Sequence, residues 1–438
     1  MKRRLLWISE HASPLAPLGG ADGGGQNVYV SQVVRCLAAL GHEVDVLTRR
    51  DHPDQPAIAR LADGARVIHV PAGPPATLRK EALLPHMAEF SAFALKWLSR
   101  RTARPYHIVH ANFFMSALVA IEIKRALSVP FVVTFHALGR VRRLHQVGAD
   151  TFPEERLTIE DRAVAEADRI IAECPQDELD LIEHYRADPQ KIRTIPCGFD
   201  PSEFGPMSQR EARRGLGLPT EGLIILQLGR MVPRKGVDNV IRALASLRAS
   251  RGIAARLVIV GGESREPDPS ITPEIGRLQS IAREEGVADS VIFVGARDRH
   301  ELRPYYGAAD VFVSTPWYEP FGITPLEAMA CGVPVVGSAV GGIQSTVVDG
   351  ETGFLVPPKD PEALADRLGD VLGDAALRRE MGRNAIRRVN SRYTWRSVAR
   401  MVASLYEDAL ADHSAAARAV AVHPVPAASA KVLARSEF

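Results

Sequence analysis

The sequence predicts an α/β protein of two successive doubly wound, Rossmann-like domains, and three observations carry that expectation. Apolar runs of strand length alternate with helical patterns from end to end, as in βαβ units with parallel sheets. The runs are nearly continuous in apolar residues, as in strands covered on both faces. The alternation stops once, at CGFDPSEFGP (residues 197–206), which reads as an interdomain linker, and then restarts.

In the first half, LLWIS leads through a glycine loop into a helix at about 26–40, which Gly41 stops. The strands EVDVLT, RVIHV, HIVHA, FVVTF and RIIAE follow. In the second half, LIILQL leads into the loop GRMVPRKG and a helix with Val237, Val240, Ile241, Leu244 and Leu247 on one face. LVIVG, VIFVG, VFVST and PVVGS are the further strands, with helices at about 275–286 and from near Pro325. A last amphipathic helix, WRSVARMVASLYEDAL, follows Tyr393, and the Ala- and Pro-rich stretch 413–438 reads as a loosely ordered tail. The expected division is 1–198 and 199–392 as the two domains, 393–412 as a last helix and 413–438 as the tail. In doubly wound folds ligands sit at the carboxyl ends of the strands, so two such domains facing each other make a cleft.

Composition narrows the class. The chain has 438 residues, 46% of them hydrophobic, which excludes a largely disordered protein. Its 54 basic and 52 acidic side chains leave a net charge of +2, against a nucleic-acid partner bound by phosphate neutralisation. The four cysteines, Cys36, Cys174, Cys197 and Cys331, form no Cys-x-x-Cys pair and suit reduced thiols in the cytoplasm. The apolar run Leu5 to Ile8 is shorter than the roughly seven residues of a secretory signal core. No apolar run reaches the roughly 18 residues of a membrane span.

Four groups of residues could carry chemistry. In GGADGGGQNVYV (19–30), Gly23, Gly24 and Gly25 let backbone amides approach an anion at a helix N-terminus, although a tight βα turn would read the same. Directly after LIILQL, Arg230 and Lys235 place two cations beside a helix start, as a diphosphate requires; a solvated basic loop is the plainer alternative. The string EPFGITPLE puts Glu319 in a loop and Glu327 in a helix that Pro325 helps start, with the amides of Gly322, Ile323 and Thr324 at its N-terminus. An acid in a first helical turn is ordinary dipole complementation, but Glu319, among Trp317, Tyr318 and Phe321, has no such structural excuse. Last, His136 ends the strand FVVTF, where it can face a cleft or only satisfy a local hydrogen bond. The histidines show no metal-ligand spacing, so no metal site is expected.

Together these residues resemble the retaining nucleotide-sugar glycosyltransferases of family 4, with the GT-B fold, over about residues 1–410. The stretch Asp22 to Val30 is similar to two branches at once, the sucrose and sucrose-phosphate synthases and the inositol-phosphate glycosyltransferases of mycothiol synthesis. The resemblance implies that Arg230 and Lys235 hold the diphosphate of a UDP-sugar donor, helped by the amides of Gly24, Gly25 and Gly322 to Thr324. It implies that Glu327 receives the ribose, Glu319 holds hydroxyls of the donor sugar and His136 lies against that sugar. No cofactor is implied beyond that donor. Asn27, Lys80 and Arg156 fall at acceptor-binding positions, but a tyrosine and a threonine of the inositol-phosphate branch appear as Phe113 and Ala137. That departure counts against inositol phosphate, the stretch Thr134 to Arg140 is closer to the sucrose-phosphate-synthase pattern, and a small phosphorylated or anionic polyol is the expected acceptor.

Alternatives remain open at this point: an epimerase or phosphorylase on the same architecture, a non-catalytic nucleotide-sugar sensor, or transfer to a lipid or polysaccharide. The last would use a basic amphipathic helix such as EFSAFALKWLSRR (89–101), although packing beneath a βα unit explains its apolar face equally well. Membrane contact is not expected, and no oligomeric state is implied.

Overall fold

The computed structural model describes residues 2–16, 24–100, 105–145 and 150–422. It contains two sheets. The first is built from β1 (Arg4–Ile8), β2 (Glu43–Arg49), β3 (Ile58–Ala62), β4 (Ala65–Val70), β5 (Ile108–Asn112), β6 (Phe131–Thr134), β7 (Arg169–Ala172) and β8 (Ile192–Thr194). Their spatial order is β3-β4-β2-β1-β5-β6-β7-β8, all parallel except the β3–β4 pair. The second sheet contains β9 (Leu223–Leu228), β10 (Ala255–Val260), β11 (Val291–Gly295), β12 (Val311–Ser314), β13 (Val335–Ser338) and β14 (Gly353–Val356). Its order, β11-β10-β9-β12-β13-β14, is parallel throughout. The central strands are buried on both faces, which is why they read as unbroken apolar runs.

Three strands escaped the sequence reading. β3 is an antiparallel edge strand, with Ile58 43% exposed and too little apolar character to show a pattern. β8 has three residues, and β14 (GFLV) four, starting at a glycine.

One hydrophobic cluster runs from the first sheet into the second, from Trp7, Tyr29 and Val33 through Phe199 and Phe204 to Phe312 and Leu326. The chain passes between the sheets twice, and the two passages lie side by side. Phe199 N–H donates to the Tyr393 carbonyl (2.8 Å) and Trp395 N–H to the Phe199 carbonyl (3.1 Å). The expected linker is thus paired in extended form with the second crossing.

Beyond that pairing, helix Trp395–Val422 packs on helix Gly25–Ala39 of the first half. Trp395 meets Tyr29 edge to face at 6.0 Å, and the Tyr406 hydroxyl lies 2.7 Å from His110 Nδ1. The helix continues to Val422, through the start of the stretch expected as a loose tail, because SAAARAVAV is rich in the strongest helix former. The rest of that expected tail lies outside the described residues. Helix Met87–Ser99 buries Phe90, Ala94 and Leu98, with Phe93 and Trp97 stacked against the core, so packing accounts for its apolar face. Among the described residues no helix is long and apolar enough to cross a membrane.

Trp395→Ala should cost about 3–5 kcal/mol, because the indole is fully buried where both halves meet. Tyr406→Phe keeps the ring but strips a buried partner from His110, and should cost about 1–3 kcal/mol. Chemical denaturation of both variants checks the order of the two losses.

Candidate functional site

The carboxyl ends of the two sheets face each other, and the site is built from the loops there. After β1, the described part of the glycine loop begins at Gly24; residues 17–23, including Gly23, lie outside the described residues. Gly24 caps helix Gly25–Ala39, and its N–H donates to Asn27 Oδ1 at 3.0 Å. Gln26 turns back to Ser9 Oγ and the Asn112 carbonyl, both at 3.3 Å, pinning the helix start to the ends of β1 and β5. Across the cleft, helix Ile323–Ala330 begins after Gly322, and Ile323 lies against Gly25. Two helix N-termini thus approach one space from opposite domains, and each favours negative charge there.

The cations come from the loop after β9. Gly236 follows Lys235 with φ 64°, and any Cβ at this position would collide with the Thr315 carbonyl, so only glycine lets the loop lie this close to β12. Lys235 Nζ is hydrogen-bonded to Glu319 Oε2, and Arg234 Nη1 stands 3.9 Å from the same oxygen while donating to the Tyr318 carbonyl. Burial alone would raise the Glu319 carboxyl, but Lys235, Arg234 and Arg230 outweigh it and hold it below its ordinary value. Burial also draws the Lys235 ammonium down, and Glu319 opposes Arg234 and Arg230 in setting how far. Behind Glu319, Gly341 (φ 45°) lets the loop after β13 touch the Glu319 carbonyl, where a Cβ would clash.

Glu327 is 1% exposed. One of its oxygens accepts from Arg299 Nη1 (2.6 Å) and the other from the Tyr306 hydroxyl (2.8 Å). Arg299 also bonds Glu203 of the linker, so this carboxylate is held by a network that reaches the crossing between the sheets.

From the first sheet, His136 follows β6 with φ 58°, a left-handed conformation uncommon for a side-chain-bearing residue. Its ring lies edge to face with Tyr29 at 4.9 Å.

These groups line two contiguous cavities. The larger, of about 280 Å³, is walled by Gly24, Gly25, His136, Arg230, Lys235, Glu319 and Gly322 to Thr324, and extends to Lys80, Arg142, Phe113 and Phe152. The second, of about 180 Å³, shares Gly24, Gly25, Arg230, Ile323 and Thr324 and continues past Arg297 and Arg299 to Glu327. The structure therefore brings together, from two domains and residues up to three hundred positions apart, every expected donor-side residue.

Of the residues expected on the acceptor side, Asn27 and Lys80 line the cavity and Arg156 does not. Asn27 is occupied by helix capping, with Oδ1 on the Gly24 N–H and Nδ2 on the Ser13 carbonyl at 3.1 Å. Arg156, 1% exposed, is not a wall of the cavity. Its guanidinium bonds Glu160 (2.7 Å) and the Ala137 carbonyl (2.6 Å) beneath the rings of Phe113, Phe114 and Phe152. Arg142, which the sequence reading passed over, does face the cavity, paired with Asp150 at 2.9 Å. The available signal was its place in the first turn of helix Gly139–His145, eight residues beyond the end of β6. Arg234 belongs to the basic loop that the sequence shows, but its partners, and those of Arg299 and Tyr306, which the sequence does not single out, are groups distant in the chain.

A third cavity, of about 260 Å³, lies on the far side of Tyr318 and Glu319 against Asp177 and Asp180. Burial, and then the neighbouring Glu173, push the Asp177 carboxyl up to about 8. Asp298, His300 and Glu301 form a potential cation cluster, but Asp298 and Glu301 already cap a helical turn and pair with Arg265.

Residues 208–388 match the family described as glycosyl transferases group 1, and residues 24–198 match the glycosyl transferase 4-like domain. The chain is 38% identical over 419 residues to the D-inositol 3-phosphate glycosyltransferase of Acidothermus cellulolyticus, covering 95% of this chain and 92% of that protein. It is 35% identical over 416 residues to the D-inositol 3-phosphate glycosyltransferase 2 of Catenulispora acidiphila, covering 94% and 96%. Among solved structures, sucrose-phosphate synthase from Thermosynechococcus elongatus superposes with a TM-score of 0.84 at 35% identity, over 94% of this chain and 100% of that one. Anabaena Alr3699/HepE in complex with UDP and glucose shares the fold, with a TM-score of 0.70 at 19% identity, over 92% and 98%.

Asp177 supplies a test of the charge balance at the cleft. The folded protein keeps its proton up to about pH 8, whereas an unfolded chain releases it near pH 4. Its contribution to stability is full at low pH and is lost as the pH rises through about 8. Asp177→Asn should therefore melt progressively higher than wild type as pH rises from 5 to 8.5, in thermal scans at each pH.

Proposed function

The chain belongs to the group 1 glycosyltransferases with a 4-like amino-terminal domain and the GT-B fold, and from this we propose that it moves a hexosyl group from a UDP-sugar to a hydroxyl of a small phosphorylated or anionic polyol, with retention of configuration. One observation carries this reading. Arg230, Lys235 and the helix starts at Gly25 and Ile323 converge on a cavity that Glu319 also lines. In this reading residues 1–198 form the acceptor side, 199–392 the donor side, and 393–412 tie the second to the first. The donor is a substrate and no further cofactor is required. The reaction belongs in the cytoplasm, in keeping with four free cysteines.

The chemistry follows from where charge develops. Breaking the bond between the anomeric carbon and the β-phosphate oxygen leaves an oxocarbenium-like sugar and a growing negative charge on the diphosphate. Arg230, Lys235 and the amides of Gly24, Gly25 and Gly322 to Thr324 stabilise that charge without reorganising. The acceptor hydroxyl attacks the same face, forms the new carbon–oxygen bond and gives its proton to the departing phosphate oxygen. Glu319, tied to Lys235, orients sugar hydroxyls and is not the nucleophile. Glu327 receives the ribose with its rotamer held by Arg299 and Tyr306. His136 closes the sugar site from the first domain. At the acceptor end Lys80 and Arg142 are the cations on the cavity wall. D-inositol 3-phosphate, named in the relatives above, belongs to the acceptor class that such cations suit.

Lys235→Ala and Glu319→Ala should each lower transfer about 100- to 1,000-fold while circular dichroism shows a folded chain. The assay is UDP release from UDP-sugars with D-inositol 3-phosphate and hexose phosphates, with the product's anomeric configuration read by NMR. Wild-type rates in both variants, an inverted glycoside, or an epimerised donor or sugar 1-phosphate as product would overturn the reading.

A further inference from the structure

Three neighbouring parallel strands end at one point in the catalytic cleft. β6 is flanked by β5 and β7, with Asn112 opposite Thr134 and Thr134 opposite Ile171. His136 lies two residues past the end of β6, Asn112 is the last residue of β5, and Glu173 is the first residue after β7. His136 Nδ1 is 3.0 Å from Glu173 Oε1, and its Nε2 is 3.1 Å from Asn112 Oδ1. Asn112 and Glu173 are 0% and 3% exposed.

The orientation of each partner is set independently. Asn112 Nδ2 donates to the Ile8 carbonyl (3.2 Å), which turns its Oδ1 toward the histidine. Gln26, at the start of the glycine-loop helix, donates to the Asn112 carbonyl. Glu173 Oε1 also accepts from Cys197 Sγ (3.2 Å), and the Glu173 N–H donates to Asp177 Oδ2 (2.9 Å). Both partners of the ring present acceptors, so both contacts call for ring N–H donors. No bare ring nitrogen then remains to take a proton from an attacking hydroxyl.

We propose that Glu173 and Asn112 are positioning residues that clamp the His136 ring from the ends of the two flanking strands, so that His136 shapes the sugar site and does not act as a base. The clamp also explains why a side-chain-bearing residue tolerates φ 58° here, since two hydrogen bonds and the Tyr29 ring offset the backbone cost. The inference rests on the proposed transferase reading for its kinetic consequence, but not for its geometry.

Two measurements test it. With UDP-glucose as donor and D-inositol 3-phosphate or a hexose phosphate as acceptor, Glu173→Ala and Asn112→Ala should lower kcat about 10- to 100-fold, as expected for a displaced group beside the reacting centre. The donor KM should stay within about twofold, because the diphosphate ligands are untouched, and Glu173→Gln, which still accepts from Nδ1, should recover most of the rate. A kcat unchanged in both alanine variants, or a Glu173→Gln variant as slow as Glu173→Ala, overturns the proposal. In protein labelled with 15N-histidine, the His136 ring should show slowly exchanging N–H protons at both nitrogens, with His136→Gln making the assignment and Glu173→Ala losing the Nδ1 signal. A ring with one bare nitrogen in the wild type overturns the proposal even where no turnover is found. Absence of UDP binding and of turnover in the wild type counts against the transferase reading alone, and the ring protons still decide the clamp.

Discussion

Phe199 and the Tyr393–Trp395 segment exchange backbone hydrogen bonds where the chain passes from the first sheet to the second and back. A single crossing would be a flexible tether; two paired crossings make a short ribbon whose ends are anchored in both cores. Helix Trp395–Val422 extends the second crossing onto the first half, with Trp395 against Tyr29 and Tyr406 against His110. The carboxyl ends of the sheets are thereby held face to face, and every group in the cleft depends on that placement. The same Tyr29 touches the His136 ring, so the ribbon and the cleft share one aromatic contact.

The cleft concentrates charge that composition hides. A net charge of +2 conceals three cations, Arg230, Arg234 and Lys235, drawn around one carboxylate. Burying these groups is costly, and they remain charged because each partly compensates the other's loss of water. The arrangement carries an excess of positive charge beside two helix N-termini, and an arriving diphosphate would complete it. Glu327 is arranged differently: Arg299 and Tyr306 each bond one of its oxygens, so its place as a wall is fixed before any ligand arrives, with acceptor capacity left on both oxygens.

Where local sequence decides local structure, the reading held. LLWIS, HIVHA and LIILQL are strands because unbroken apolar runs must be covered on both faces. EPFGITPLE starts a helix in the predicted place because proline suits a first turn. The reading failed where tertiary context overrides pattern. β3, an edge strand, needs little apolar content, and the Ala-rich stretch after residue 413 is helical as far as Val422. Arg156 sits in a motif suited to acceptor binding, yet its charge is spent on Glu160 under three phenylalanine rings. Nothing in the spacing of Arg156 and Phe152 shows which of the two faces the cavity.

By itself the sequence determined the fold class, the family and the residues that gather at the cleft, because these depend on periodicity and on motifs a few residues long. Only the tertiary structure decided how those residues are used. It gave Asn27 to a helix cap, moved Arg156 behind the wall, put Arg142 on it, and closed the ring of His136 between Glu173 and Asn112. Each of these outcomes is a competition for hydrogen-bond partners, settled by which strand ends and loops are neighbours in space, and parallel sheets make neighbours of residues far apart in the chain.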